Sequence, residues 1–333
     1  TCSRAADHLL FRRFLKQKVE APIFIIGNPR SGTTFFHSLL CLDDARFRYM
    51  TLWQTIFSTV FLDRIIRILS LVDRCIFRVM ERTIKAFERW VFQGWDGIHS
   101  IGFQRPEECE ASWCLACCTP SIYILCPWIS ELEELKYLDR LPDSRRKILM
   151  RYYRRILQRQ LYIDGGHRTL LGKNVFHTGR VRSLVAEFPD IRFVHLVRHP
   201  YEVIPSFLSM FTKPWRSHSP DVPVDSSETR AMAEVGIDYY LYMEQLKVEL
   251  PPEQLYTLTY DELIADPGAC IERVYDHYGL EITEDFPQSL CNKLEQERSY
   301  KSSHGYSMEQ FGLTREWIYE RLKPIFETYD FKP

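Results

Sequence analysis

The chain has 333 residues, 45% of them hydrophobic and 14% aromatic, enough to bury a sizeable core within one large domain. Its 43 basic and 44 acidic side chains leave a net charge of −1, which excludes a protein whose main partner is a nucleic-acid backbone. Ten cysteines lie scattered without the paired spacing of a disulfide scaffold, and no Asn-x-Ser/Thr acceptor occurs, both of which favour a reducing, cytoplasmic compartment.

Residues 1–20 read as an N-terminal extension with no typical signal-peptide pattern, and the threonine start leaves a preceding membrane anchor open. The stretch APIFIIGNPRSGTTFFHS, 21–38, then predicts a buried strand over Ile23–Ile26, a tight loop over Gly27–Gly32 and a helix from Thr33. A helix N-terminus behind a glycine-bracketed loop is an anion cradle. The spacing G-x-x-x-x-G-T-T would match the nucleotide-binding P-loop, except that Thr33 stands where that motif needs lysine. Arg30, inside the loop, is the cation left to meet a phosphate, and its planar fork suits one isolated phosphate better than a magnesium-bound triphosphate.

Residues 55–162 read as a helical insertion between the strands. Within it, 60–91 predicts one long helix with Arg64, Arg67, Arg74, Arg78, Arg82, Lys85 and Arg89 on a narrow stripe opposite a broad apolar face. Such a helix is either a scaffold with a solvated face or an element lying on an anionic membrane or covering an apolar acceptor. The segment HSIGFQRPEECE, 99–110, places Glu107 and Glu108 after Pro106, where helix N-terminal charge is ordinary and a buried carboxylate would be a usable base. Cys109, Cys114, Cys117 and Cys118 cluster, and buried helix cysteines are favoured over a zinc site, since no second ligand pair accompanies them. Residues 111–130 lack charge but carry Pro120 and Pro127, and so read as a core helix plus loop before a membrane span.

A second amphipathic helix is expected over 145–161, and 168–181 predicts a strand ending near Lys173, then a helix to Phe188. Residues 192–206, RFVHLVRHPYEVIPS, predict a strand ending at Arg198 and a helix opening on Pro200. An arginine at the carboxyl end of a parallel strand lies where open α/β sheets bind ligands. The polar, proline-containing stretch 213–228 reads as a mobile loop.

These motifs resemble those of the sulfotransferases that use 3′-phosphoadenosine 5′-phosphosulfate. The family's phosphosulfate loop has the form P-[KR]-S-G-T-T, and Pro29, Arg30, Ser31, Gly32, Thr33 and Thr34 match it. In the family, an arginine ending a later strand and a serine eight positions on grip the 3′-phosphate; Arg198 and Ser206 stand at that spacing. The stretch LTYDELIADPGACIERVYDHYGL, 258–280, is similar to the family's next strand and helices, so the resemblance spans about 20–330. It implies an α/β fold with a central parallel sheet flanked by helices, the P-loop nucleotide-hydrolase-like architecture. It also implies sulfuryl transfer from that donor to a hydroxyl or amine, with no metal required.

For the chemistry, the resemblance points to Arg30 at the leaving group and Lys173 at the sulfuryl oxygens. The cytosolic members' K-T-H order is missing, since Asn174 and Val175 follow Lys173. His177 resembles the K-x-x-x-H arrangement of the broader, largely microbial branch, and Glu107 with Glu108 resembles that branch's P-E-E segment; the base is one of these. No glutamate follows the loop where tyrosylprotein sulfotransferases carry theirs. Phe35 takes the place of the tryptophan that stacks on adenine in cytosolic enzymes, and core packing is an equal reading for it. The C-terminal R-K-G loop is absent, leaving Lys301 and His304 as the nearest counterparts. The aromatic content and the apolar face of 60–91 lean toward a small aromatic or lipid-like acceptor, with peripheral membrane contact through that segment. A P-loop kinase, or a non-catalytic nucleotide-binding relative, are the alternatives.

Overall fold

A computed structural model describes residues 2–75, 78–92, 102–297 and 307–333. The chain begins with α1 (Cys2–Leu10) and a 3-10 turn, then enters β1 (Ile23–Gly27), α2 (Thr33–Leu40) and the two-residue β2 (Phe47–Arg48). Helices α3 (Leu52–Ile56), α4 (Val60–Cys75), α5 (Val79–Phe92), α6 (Glu110–Cys114) and α7 (Asp143–Asp164) follow before β3 (Thr169–Lys173) and α8 (Val181–Glu187). The second half runs β4 (Arg192–Val197), α9 (Pro200–His218), α10 (Ser227–Glu249), β5 (Leu255–Thr259), α11 (Tyr260–Ala265), α12 (Pro267–Tyr278), α13 (Phe286–Glu297) and α14 (Arg315–Thr328).

The five strands form one parallel sheet in the order β2-β3-β1-β4-β5. β1 is central, and all five of its residues are buried, because helices cover both faces. Its side chains alternate accordingly: Phe24 and Ile26 join the core under α7, α9 and α10, whereas Ile23 and Ile25 join the core under α2 and α12. With β3 and β4 on opposite sides of β1, the carboxyl ends of these three strands enclose a crevice at the point where the strand order reverses.

Gly27 closes β1 at φ +143°, and a Cβ there would sit 2.3 Å from the Leu196 carbonyl oxygen of β4. Backbone inside a sheet cannot retreat from that clash. Gly27→Ala is therefore expected to lower stability by about 3 kcal/mol or more, read as a shifted urea midpoint; an unchanged midpoint would contradict the strand pairing at this position.

The N-terminal segment is tied in by one side chain. Asp7 is fully buried, accepts from the backbone N–H groups of Val60 (3.2 Å) and Phe61 (2.8 Å), and pairs with Arg159 of α7 at 2.6 Å. It thus adds from outside a second anionic group to the first turn of α4, which carries Asp63 of its own.

Two sequence expectations are corrected. The single helix over 60–91 is two helices: Arg78 has φ +56°, its N–H bonds to the Asp73 carbonyl, and the buried Asp73 carboxylate accepts from the N–H groups of Met80 (2.8 Å) and Glu81 (2.9 Å). The Asp73 carboxylate thereby caps the start of α5. The loop expected over 213–228 is shorter, because α9 continues through Pro214 to His218. There Trp215 is buried, its indole N–H bonded to the Tyr123 carbonyl at 2.6 Å. Burial of that indole outweighs the hydrogen bond that Pro214 removes. Residues 111–130 form the short α6, a 3-10 turn over Pro120–Ile124 and connecting loop, and no helix among the described residues is long and apolar enough to cross a membrane.

Candidate active site

The loop between β1 and α2 is built for an anion. Arg30 (φ +74°) and Gly32 (φ +87°) both adopt left-handed backbone, and a Cβ on Gly32 would lie 2.8 Å from the Tyr260 ring. Gly32 precedes α2 without a side-chain cap among the described residues, which leaves the first amides of that helix open to a ligand. Ser31 is fully buried, and its hydroxyl has no hydrogen-bond partner among the described residues. An orphaned buried hydroxyl beside uncapped amides fits a group that brings its own oxygens, such as a phosphate.

The three strand ends converge as the sheet register requires. Gly27 pairs with Leu196 across β1 and β4, two residues before Arg198, and Ile25 pairs with Lys173 across β1 and β3. Arg30 Nε donates to Ser206 Oγ at 3.1 Å, and Arg198 Nη1 donates to the Arg30 carbonyl at 3.0 Å. Arg30, Arg198 and Ser206, spread over 176 residues of sequence, therefore form one cluster. Arg198 is held further by Glu202, at 2.7 Å from Nε, and by the Tyr260 ring, 4.0 Å from its guanidinium carbon. These contacts fix the planar fork before any ligand arrives. Arg30, expected at the leaving group, stands next to the two residues assigned to the 3′-phosphate.

Lys173 occupies the other wall. It is 1% exposed, donates to Thr34 Oγ1 of α2 at 2.8 Å, and pairs with Glu108 Oε1 at 2.5 Å. Its charge is felt beneath the loop, where burial first and Lys173 second push the pKa of His37 down to about 3. Glu107, the other carboxylate of the segment, accepts from the Glu108 N–H at 2.9 Å, its own N–H bonds to the Met50 carbonyl, and its charge also reaches His37, opposing the effect of Lys173. Glu110 accepts from Asn174 at 2.7 Å and anchors the segment from the other side.

His177 lies in a different environment from the one expected of a base. Fully buried, it packs between Phe24, Trp113 and Tyr153, with Nε2 3.2 Å from the Tyr153 hydroxyl and 3.5 Å from Cys109 Sγ. Arg180 lies 3.2 Å from Nδ1, and an arginine can only donate, so the ring's proton sits on Nε2. Burial, reinforced by Arg180, holds the His177 pKa well below 6.5. Lys173 faces α2, whereas His177 enters the core behind Phe24. Proximity in sequence does not bring them to one site, because the intervening residues turn from strand into a 3-10 helix.

Phe35 packs, partly buried, against the core under α2. Lys301 and His304 lie outside the described residues. The clustered cysteines are free thiols, and among the described residues no group of three or more His, Cys, Asp or Glu side chains could hold a metal ion. The Lys173–Glu108 pairing was out of reach of sequence reasoning, which had identified both the P-E-E segment and Lys173 but no signal joining them across 65 residues.

Known proteins similar to this chain are sulfotransferases. A profile described as "Sulfotransferase family" matches residues 129–285, a stretch that includes Lys173, Arg198 and Ser206. The chain is 27% identical over 322 residues to the omega-hydroxy-beta-dihydromenaquinone-9 sulfotransferase Stf3 of Mycobacterium bovis and of Mycobacterium tuberculosis, covering 95% of this chain and 78% of the relative. Its fold is similar to the crystal structures of sulfotransferase STF9 from Mycobacterium avium (20% identity, TM-score 0.78, 99% and 82% of the two chains) and STF1 from Mycobacterium tuberculosis (21%, 0.70, 97% and 81%). By the profile matched over residues 129–285, the relatives aligned along 95% of this chain, and a parallel sheet with its anion loop at the central strand, the chain is similar in sequence and in fold to the sulfotransferases.

Proposed function

We propose that the protein transfers a sulfuryl group from 3′-phosphoadenosine 5′-phosphosulfate to the hydroxyl of an amphiphilic, lipid-like acceptor, with Glu108 as general base. The observation that carries this reading is Lys173, buried between Thr34 of the anion loop and Glu108. A cation fixed there meets the oxygens of a sulfuryl group held at the loop, and the carboxylate beside it meets the proton of an attacking hydroxyl.

Loop amides and Ser31 hold the 5′-phosphosulfate, while Arg30, Arg198 and Ser206 hold the 3′-phosphate. The acceptor oxygen attacks sulfur in line as its proton passes to Glu108. The bond from sulfur to the bridging phosphate oxygen breaks, and adenosine 3′,5′-bisphosphate departs with that electron pair. Lys173 leaves its ion pair for the sulfuryl oxygens as charge builds, which frees Glu108 to accept the proton at the same moment. The hydroxyl, lipid-like acceptor is suggested by the relative named for a hydroxylated menaquinone derivative.

The test is calorimetry with adenosine 3′,5′-bisphosphate and with ATP, each with and without magnesium. The bisphosphate is expected to bind without regard to magnesium, and more tightly than ATP. Magnesium-dependent preference for ATP would replace this reading with phosphoryl transfer.

A further inference from the structure

The helical hairpin of α4 and α5 exposes apolar side chains that the other described residues do not cover. Ile68, Leu71 and Val72 on α4 are 60%, 59% and 51% exposed, and Ile84, Phe87 and Trp90 on α5 are 48%, 51% and 73% exposed. Exposed large apolar side chains scattered singly need no explanation, but a concentration on two adjacent helices marks a surface with a partner.

Charge identifies that partner. Residues 60–92 carry seven basic and four acidic side chains, an excess of three in a chain whose net charge is −1. The acids are committed internally: Asp73 caps α5, Asp63 holds Arg67 at 2.7 Å, and Glu88 accepts from the Phe103 N–H at 2.6 Å. Arg64, Arg74 and Arg82 make no ion pair among the described residues. On α4, Ile68 and Leu71 lie one turn from Arg64 and Arg74, so uncommitted arginines stand beside exposed apolar side chains, which fits the headgroup layer of an anionic bilayer better than a second copy of the same basic surface, which would repel itself. At 16 and 14 residues the helices reach only about 24 and 21 Å at ~1.5 Å per residue. Neither can cross the hydrocarbon core, so both lie along the interface.

The hairpin is joined to the site. Phe87 stacks on Phe103 with ring centroids 6.5 Å apart, and the Phe103 carbonyl accepts from Trp53 of α3. From Phe103 the chain pairs along α3 at Arg105 and Pro106 and then delivers Glu108 to Lys173. Ile56 and Phe57, at the end of α3, are 36% and 44% exposed.

We propose that the α4–α5 hairpin docks the protein on anionic membranes, laying its apolar face into the interface so that hydroxylated lipids reach the sulfuryl site from the bilayer. Docking stands on the hairpin alone; delivery of the acceptor rests on the function proposed above.

Flotation of the full chain with phosphatidylcholine vesicles, with and without phosphatidylglycerol, tests it. The protein is expected to float with the anionic vesicles and to lose that partitioning in the triple variant Ile68→Ser, Phe87→Ser, Trp90→Ser. Replacing Arg64, Arg74 and Arg82 by glutamine is expected to weaken it on the order of a hundredfold. Both variants should keep the wild-type affinity for adenosine 3′,5′-bisphosphate, which certifies the fold. Wild-type protein that stays at the bottom of the gradient, or a triple variant that floats equally well, overturns docking. So does a wild-type dimer that the triple variant dissociates without any vesicle binding, which would make the face a self-association surface. Flotation without any bisphosphate binding upholds docking and sinks the proposed function instead. Delivery predicts that the triple variant loses turnover on a vesicle-embedded long-chain alcohol while keeping it on a detergent-dispersed short one; equal loss on both refutes delivery.

Discussion

Glu108→Gln is expected to lower kcat by about 10²–10⁴-fold while changing the affinity for adenosine 3′,5′-bisphosphate only a few-fold. Glutamine keeps the shape and can still accept from Lys173, so the buried cation retains a partner. It cannot accept the acceptor's proton.

The contrasting variant is His177→Asn. The ring sits in a closed cage of Tyr153, Cys109 and Arg180, so its removal leaves buried polar groups unpaired and is expected to cost about 1–3 kcal/mol of stability, with turnover on the surviving folded protein near wild type. The pH dependence gives a second signature. His177 has an ordinary pKa of 6.5 when unfolded and one well below that when folded, so the unfolded chain binds the extra proton first. Stability is full above pH 6.5 and declines as the pH falls below it toward the folded value. His37 and His195, also buried and held low, add to the same slope. His177→Asn should make the melting temperature less acid-sensitive. A variant that melts like wild type but has lost turnover would return the base to His177.

Arg198→Ala is expected to weaken adenosine 3′,5′-bisphosphate binding on the order of a hundredfold, the worth of about 3 kcal/mol of charge-assisted hydrogen bonding. Adenosine 5′-phosphate, which lacks the 3′-phosphate, should bind the variant and the wild type alike. The comparison separates a lost phosphate contact from a disturbed loop, a necessary control because Arg198 also donates to the Arg30 carbonyl. Equal weakening of both nucleotides would show that Arg198 props the loop, and unchanged binding of both would remove it from the site.

Local signals carried the anion loop, β1, β3, β4 and the start of α9. A run of four apolar residues before a glycine reads as a central parallel strand because both of its faces must be buried, and five buried residues are what β1 shows. The loop is similarly legible, since the positive φ at Gly32 and the Tyr260 ring against it leave no room for another residue. The helix break before α5 was hidden, because the periodicity of apolar and basic residues continues across it and only the fold of Asp73 back onto the next helix reveals the turn.

By itself, then, the sequence determined which residue types stand at the ends of the strands: Arg30 and Ser31 after β1, Lys173 at the end of β3 and Arg198 after β4. These follow from short-range pattern and backbone sterics. Tertiary structure alone decided that Arg30 and Ser206 touch, that Lys173 chooses Glu108 over Glu107, and that His177 turns into the core. The reason is directional. Side chains alternate across a strand and swing around a helical turn, so residues four apart can serve opposite faces, and residues 65 or 176 apart meet only once the sheet has set their register.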